Sequence, residues 1–96
     1  MYIMEVYYVI PEFPEFEINK DGVVRKIENF EVVQHVFDKL TNHVFVLLEN
    51  KYCKSYVPVY KLLANMFIEN PENFSDILFT DGCFSNLQLD NLKWCE

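Results

Sequence analysis

The sequence predicts an α+β fold built from small β-hairpins and one amphipathic helix. Val59, Leu62, Leu63, Met66 and Phe67 recur at i, i+3, i+4, i+7 and i+8, the apolar stripe of a helix over about residues 59–69. Two pairs of short β-rich runs flank turn-forming residues, Asn19-Lys20-Asp21-Gly22 and Glu49-Asn50-Lys51. The chain has 96 residues, about half of them apolar and 17% aromatic, which is enough for one small core and too apolar for a disordered chain.

Along the chain, Tyr2–Ile10 is rich in β-branched and aromatic residues and ends at Pro11, so it reads as a strand. Pro11 and Pro14 bracket an extended connector. Phe16–Ile18 and Val23–Ile27 form a hairpin around Asn19–Gly22, where Gly22 supplies positive φ. Phe30–Leu40 reads two ways. Val32, Val33, Val36, Phe37 and Leu40 fit a helical face, while the β-branched content argues for a strand. His35 lies off that stripe and is expected at the surface. Val44–Leu48 and Tyr52–Val57 make the second hairpin. Pro58 then stands at the start of the helix, which stops before Asn70-Pro71 because a residue preceding Pro avoids the α region. Ile77–Thr80 is a short apolar run, Asp81-Gly82 a turn, and Asp90 a candidate cap for a last helical turn.

The formal charge is −7 and is banded: −5 over residues 1–38, +3 over 39–68 and −5 over 69–96. Arg25 is the single arginine, although Arg is the preferred phosphate and guanine ligand. This balance disfavours an ordinary nucleic-acid binder. Cys53, Cys83 and Cys95 are odd in number with no CxxC pair, and His35 and His43 are not near any Cys. Reduced core thiols in a cytoplasm are expected, with no zinc site and no other cofactor. No apolar run is long enough for a membrane helix, and Glu5 interrupts the apolar start of the chain, unlike a signal peptide. The richness in Asn, Lys, Ile, Phe and Tyr fits an AT-rich source such as a phage.

Ordered motifs go further. Phe16-Glu17-Ile18-Asn19-Lys20-Asp21-Gly22-Val23-Val24-Arg25 resembles the YEISNxGRVR pattern of the nuclease-associated modular domain of HNH homing endonucleases. Val59–Asn73 resembles the VHRLVAxAFIPNPEN helix and loop of that family. Phe79-Thr80-Asp81-Gly82 and Ser85–Trp94 resemble its NHIDGxxxNNxxxNLEW core. The resemblance covers roughly residues 13–94 and implies three segments packed as one domain: an extra N-terminal strand over 1–12, a β-rich nuclease-associated module over 13–57, and a degenerate ββα HNH-like module over 58–96.

In that family the histidine of NHIDG is the general base. The residue before it and the asparagine of NLEW hold one divalent cation, a hard ion suited to oxygen ligands. By resemblance the base position is Phe79, the preceding ligand position Leu78, and the histidine of VHRL is Tyr60. These are lost-site positions. Asp81, Asn86 and Asn91 are the remnant, expected to satisfy the turn and nearby backbone rather than a metal. No catalytic residue is therefore expected, and the chain is read as a non-enzyme.

The acids Glu12, Glu15, Glu17, Asp21, Glu28, Glu31, Glu69, Glu72 and Asp76 are the candidate protein-binding residues. The expected partner is a host protein, one that itself binds nucleic acid, met in the host cytoplasm. Acidic strips with phosphate-like spacing would occupy its groove, as an inhibitor of a nucleic-acid enzyme or defence system does. Two other functions stay open. One is a residual DNA-binding accessory of an endonuclease, resting on Lys39, Lys51, Lys54 and Lys61. The other is a structural homodimer through residues 1–10.

Overall fold

The computed structural model describes residues 5–96. Eight short strands and one helix follow in order: β1 (Tyr8–Ile10), β2 (Phe13–Ile18), β3 (Val24–Lys26), β4 (Val36–Asp38), β5 (His43–Glu49), β6 (Lys54–Pro58), α1 (Val59–Phe67), β7 (Asp76–Phe79) and β8 (Leu92–Cys95). They form three antiparallel sheets, β1-β2-β3, β4-β5-β6 and β7-β8. The hairpin β5-β6 running into α1 is a ββα-like unit.

Turn chemistry sets the two main hairpins. Asn19 is only 3% exposed. Its Oδ1 accepts the backbone N–H groups of Asp21 and Val23 at 3.0 and 2.9 Å, closing the β2–β3 turn from inside. Gly22 holds φ +86°, and a Cβ there would lie 3.2 Å from Val59 Cγ1, so the turn docks against the start of α1. In the β5–β6 turn, Asn50 Oδ1 accepts from Tyr52 and Cys53 N–H, both at 2.9 Å. Its Nδ2 donates to the Glu12 carbonyl, tying this turn to the β1–β2 connector.

The helix follows its apolar stripe, with Val59, Leu62, Leu63 and Ala64 buried. It ends at Phe67, two residues before the predicted limit, where Ile68 is extended. Asn70 then brackets Phe74, its Oδ1 accepting the Phe74 N–H and its Nδ2 donating to the Phe74 carbonyl, both at 2.9 Å. The core joins Ile10 and Phe13, the inward residues of β2 and β5, the helix stripe, Phe79 and Leu92. All three sequence segments contribute to it.

Two sequence expectations change and one open reading is decided. The segment 30–40 takes its strand reading: Val36–Asp38 pairs with His43–Phe45 as β4, and Val33 N–H donates to the Val24 carbonyl at 2.8 Å. The apparent helical stripe is not buried, since Val32, Val36, Phe37 and Leu40 are all exposed. Asp90 is not a cap; it lies inside a 3₁₀ turn over Leu89–Asn91 that has Gln88 at its N-cap, and the chain returns as β8. Cys53 and Cys83 are exposed and Cys95 is half-buried, so the thiols are not core residues. Cys53 follows the Asn50 turn and Cys83 the Asp81 turn, where no packed face is available.

Of the N-terminal strand, Met1–Met4 lie outside the described residues, and the strand seen is Tyr8–Ile10. Tyr8 packs edge-on against Phe67 of α1, with ring centroids 5.1 Å apart, while Val6 and Val9 are exposed. His35 is at the surface, its Nε2–H donating to the Gly22 carbonyl at 2.8 Å. Among the described residues no helix is long and apolar enough to cross a membrane.

Candidate functional site

The site develops at the β7–β8 end, where α1, β5 and the 81–91 loop meet. Phe79 is the last residue of β7 and is buried, paired in register with Leu92. Tyr60, in the first turn of α1, packs edge-on against it at 5.1 Å between centroids. Phe84 reaches Phe79 from the following loop at 5.2 Å, and the His43 ring from the start of β5 stacks on Phe84 at 4.5 Å and 15°. His43 also lies 5.0 Å from Tyr60 and 5.9 Å from Phe79. Four rings from four segments thus fill the centre. The His43 Nδ1 is buried with no hydrogen-bond partner among the described residues. Burial, with Asp76 nearby, raises the Tyr60 hydroxyl above the ordinary tyrosine value.

Beside the rings sits a closed polar network. Asn91 is buried, and its Oδ1 accepts both Thr80 Oγ1–H at 2.7 Å and Asp81 N–H at 3.0 Å. Its Nδ2 donates to Asp81 Oδ1 and to the Asn86 carbonyl, each at 3.0 Å. Asn86 Nδ2 donates to Asp81 Oδ2 at 2.8 Å, and Cys83 N–H to Asp81 Oδ1 at 2.8 Å. Gly82 takes φ +74° to turn the chain here.

The Asn86 amide, and then the Cys83 N–H, hold the Asp81 carboxyl below the ordinary carboxylate value. A depressed folded pKa means that this contribution to stability is fully present above the unfolded carboxylate pKa. It is lost as pH falls through the lower folded pKa. Weaker protection of the Cys83 amide against hydrogen exchange, taken relative to its intrinsic rate at each pH, is therefore expected only in acid, and protection that stays uniform from neutral to acid would contradict the network. The Cys83 thiol is also lowered, chiefly by its hydrogen bond with Ser85 Oγ at 3.3 Å.

These donors do not fit the divalent cation that the motif resemblance implies. Asn91 Oδ1 has both lone pairs committed, Leu78 is an exposed hydrocarbon, and both Asp81 oxygens serve the turn. Among the described residues no group of three His, Cys, Asp or Glu side chains converges to hold a metal.

The one arginine is committed elsewhere. The Arg25 guanidinium lies 3.5 Å from the Tyr7 ring centroid and 4.4 Å from that of Phe30, and it pairs with Glu17 across the β2–β3 ladder. Phe30 holds φ +61° in the turn that presents its ring, and its N–H donates to the Lys26 carbonyl at 2.9 Å. A positive φ is costly for a large side chain. Arg25→Ala is expected to cost about 2 kcal/mol in urea unfolding, from two cation–π contacts and a part-buried Glu17 left unpaired. A change near zero would show that the sandwich contributes nothing.

The structure separates most of the candidate acids. Glu12 and Glu15 lie exposed at the β1–β2 connector and on β2, Glu69 and Glu72 after the helix, and Asp76 at the start of β7. Glu31 is exposed before β4, and Glu17 is the half-buried partner of Arg25. Glu15 and Glu28 line one cavity of about 560 Å³ together with Glu49, which sequence reasoning did not single out. Asp21 and Asn86 face a shallow groove of about 710 Å³ between the β2–β3 turn and the 85–90 loop. His43, Phe84 and Thr80 were also missed, since nothing in their spacing marks them as neighbours.

No protein-family model matches the chain, and no curated protein matches it. Its structure is similar to one solved for the HNH homing endonuclease I-HmuI, in work on DNA binding and cleavage by that enzyme. The TM-score is 0.82 at 21% identity, covering 94% of this chain and 52% of the other. The likeness is one of fold, and this chain spans about half the length of that endonuclease chain.

Proposed function

We propose that the chain is a phage-encoded protein of HNH-like fold that does not cleave nucleic acid and acts by binding a host protein in the host cytoplasm. The observation that carries this reading is Phe79. A buried ring stands at the position where the motif resemblance implies the general base, enclosed by Tyr60, Phe84 and His43. A phenyl ring takes no proton, and the enclosure leaves little room for an attacking water. Asn86, Asn91 and Asp81 support it further by bonding to one another.

The partner is a protein that itself handles nucleic acid, and the chain inhibits it by occupying its groove. The charge of −7, with Glu12, Glu15, Asp21, Glu28, Glu31, Glu69, Glu72 and Asp76 all exposed, supports this. A groove built for phosphates attracts carboxylates by the same long-range field.

Two measurements test the reading. Plasmid DNA incubated with the protein and Mg²⁺ or Mn²⁺ is expected to stay intact; cleavage abolished by Asn86→Ala would overturn the non-enzyme reading. Host protein captured on the immobilised chain is expected to be released by duplex DNA and by rising salt. Capture indifferent to both removes the groove-occupying role.

A further inference from the structure

We propose that the outward face of the β4-β5-β6 sheet is a self-association surface, in which Leu40 of each copy enters a cavity on the other. Phe45 and Leu47 of β5 point away from the core, because Val44, Val46 and Leu48 between them are the buried residues. Register places Val36 beside Phe45 and Tyr56 beside Leu47 on that same face. Val36 and Tyr56 are exposed there, Tyr56 by 59%. With Phe45 they bound an open cavity of about 360 Å³. At the adjoining β4–β5 turn Leu40 is 95% exposed and leaves its side chain uncovered by the described residues. An apolar hollow and an unburied leucine at the same end of one face suit a two-fold contact, since each copy then supplies both parts.

Charge favours a second copy over the other occupants. The molecule is strongly acidic, but this face carries both signs: Glu49 sits opposite Lys54 in the ladder, and Asp38 precedes Lys39. Two such faces meet without the repulsion that the acidic bands would impose. A polyanion finds each of these lysines next to a carboxylate. Strand-edge pairing is blunted, since β4 has three residues and β6 carries Lys54 and Pro58. Of the acids of the proposed function, Glu31 borders this face, in a cavity shared with Val36, Leu47 and Tyr56; the self-association does not depend on that reading.

Sedimentation velocity on the full chain, from about 1 to about 100 μM, is the test. A reversible dimer is expected, with its population unchanged between low and high salt. Leu40→Glu is expected to leave a monomer whose thermal stability matches that of the wild type at dilutions where the wild type is itself monomeric, because the side chain is solvated in the monomer. Tyr56→Lys, in the cavity wall, is expected to do the same. A monomer throughout overturns the proposal. So does a dimer that survives both substitutions, which would move the contact elsewhere, residues 1–10 included. Salt-sensitive binding of a single-stranded oligonucleotide that Tyr56→Lys abolishes would make the face a nucleic-acid surface instead, and would also overturn it.

Discussion

Phe79→Ala is expected to lower the unfolding free energy by about 3–4 kcal/mol, the range for emptying a buried phenylalanine site. The ring is buried and meets Tyr60, Phe84 and His43 at once, so its removal leaves a cavity that three other rings cannot close without leaving their own packing. In a domain of this size each kcal/mol shifts the melting temperature by roughly 4–8 °C, so calorimetry resolves the loss easily. Phe79→Leu should cost less, because it keeps most of the apolar volume. Phe79→His is the functional control. It returns an imidazole to the position the motif assigns to a base, yet no cleavage is expected, because Leu78 and the committed Asn91 still offer no cation site. Plasmid nicking by Phe79→His alone would show that the ring stack was the sole block to catalysis. A loss below about 1 kcal/mol in Phe79→Ala would show that the stack is loose.

Asn91→Ala is expected to cost about 3 kcal/mol, since one buried amide serves four partners and its loss strands several of them. Thr80 Oγ1 and the Asp81 carboxylate lie near the surface and recover hydrogen bonds from water, which holds the figure below the sum of four separate losses. Urea unfolding checks the magnitude. Asn91→Asp adds a pH signature. The new carboxylate lies against Asp81, so like-charge repulsion raises the folded pKa of the pair. The variant is then least stable near neutral pH and recovers as pH falls into the carboxylate range. Equal destabilisation at all pH values would show that the residue at position 91 does not face Asp81.

Much of the architecture was legible in the sequence because it rests on local chemistry. Asn19 and Gly22, and Asn50 in the second turn, mark hairpins since an Asx side chain and a glycine satisfy the turn wherever the strands go. The stripe from Val59 to Phe67 marks a helix by its period. Segment 30–40 was legible only as a choice between helix and strand. Its pattern fits a helical face as well as a strand, and hydrogen bonds to the neighbouring β3 and β5 hold it extended. The centre of the site was half legible. Tyr60 and Phe79 stand out against the motif they resemble, whereas His43 and Phe84 carry no signal until β5 and the 81–91 loop are brought together.

The charge of Arg25 divides the same way. Its scarcity is visible in the composition, but its loss to an aromatic sandwich and to Glu17 is a property of the fold. By itself, then, the sequence determined the turns, the helix, the acidic balance and the apolar residue at position 79, because each depends on residue type and near neighbours. Only the tertiary structure decided which rings close over that position, that the Asn91 amide is spent on Thr80, Asp81 and Asn86, and that most of the 30–40 stripe is exposed. Those outcomes depend on how separate segments pack together, and no single-residue preference is strong enough to specify it.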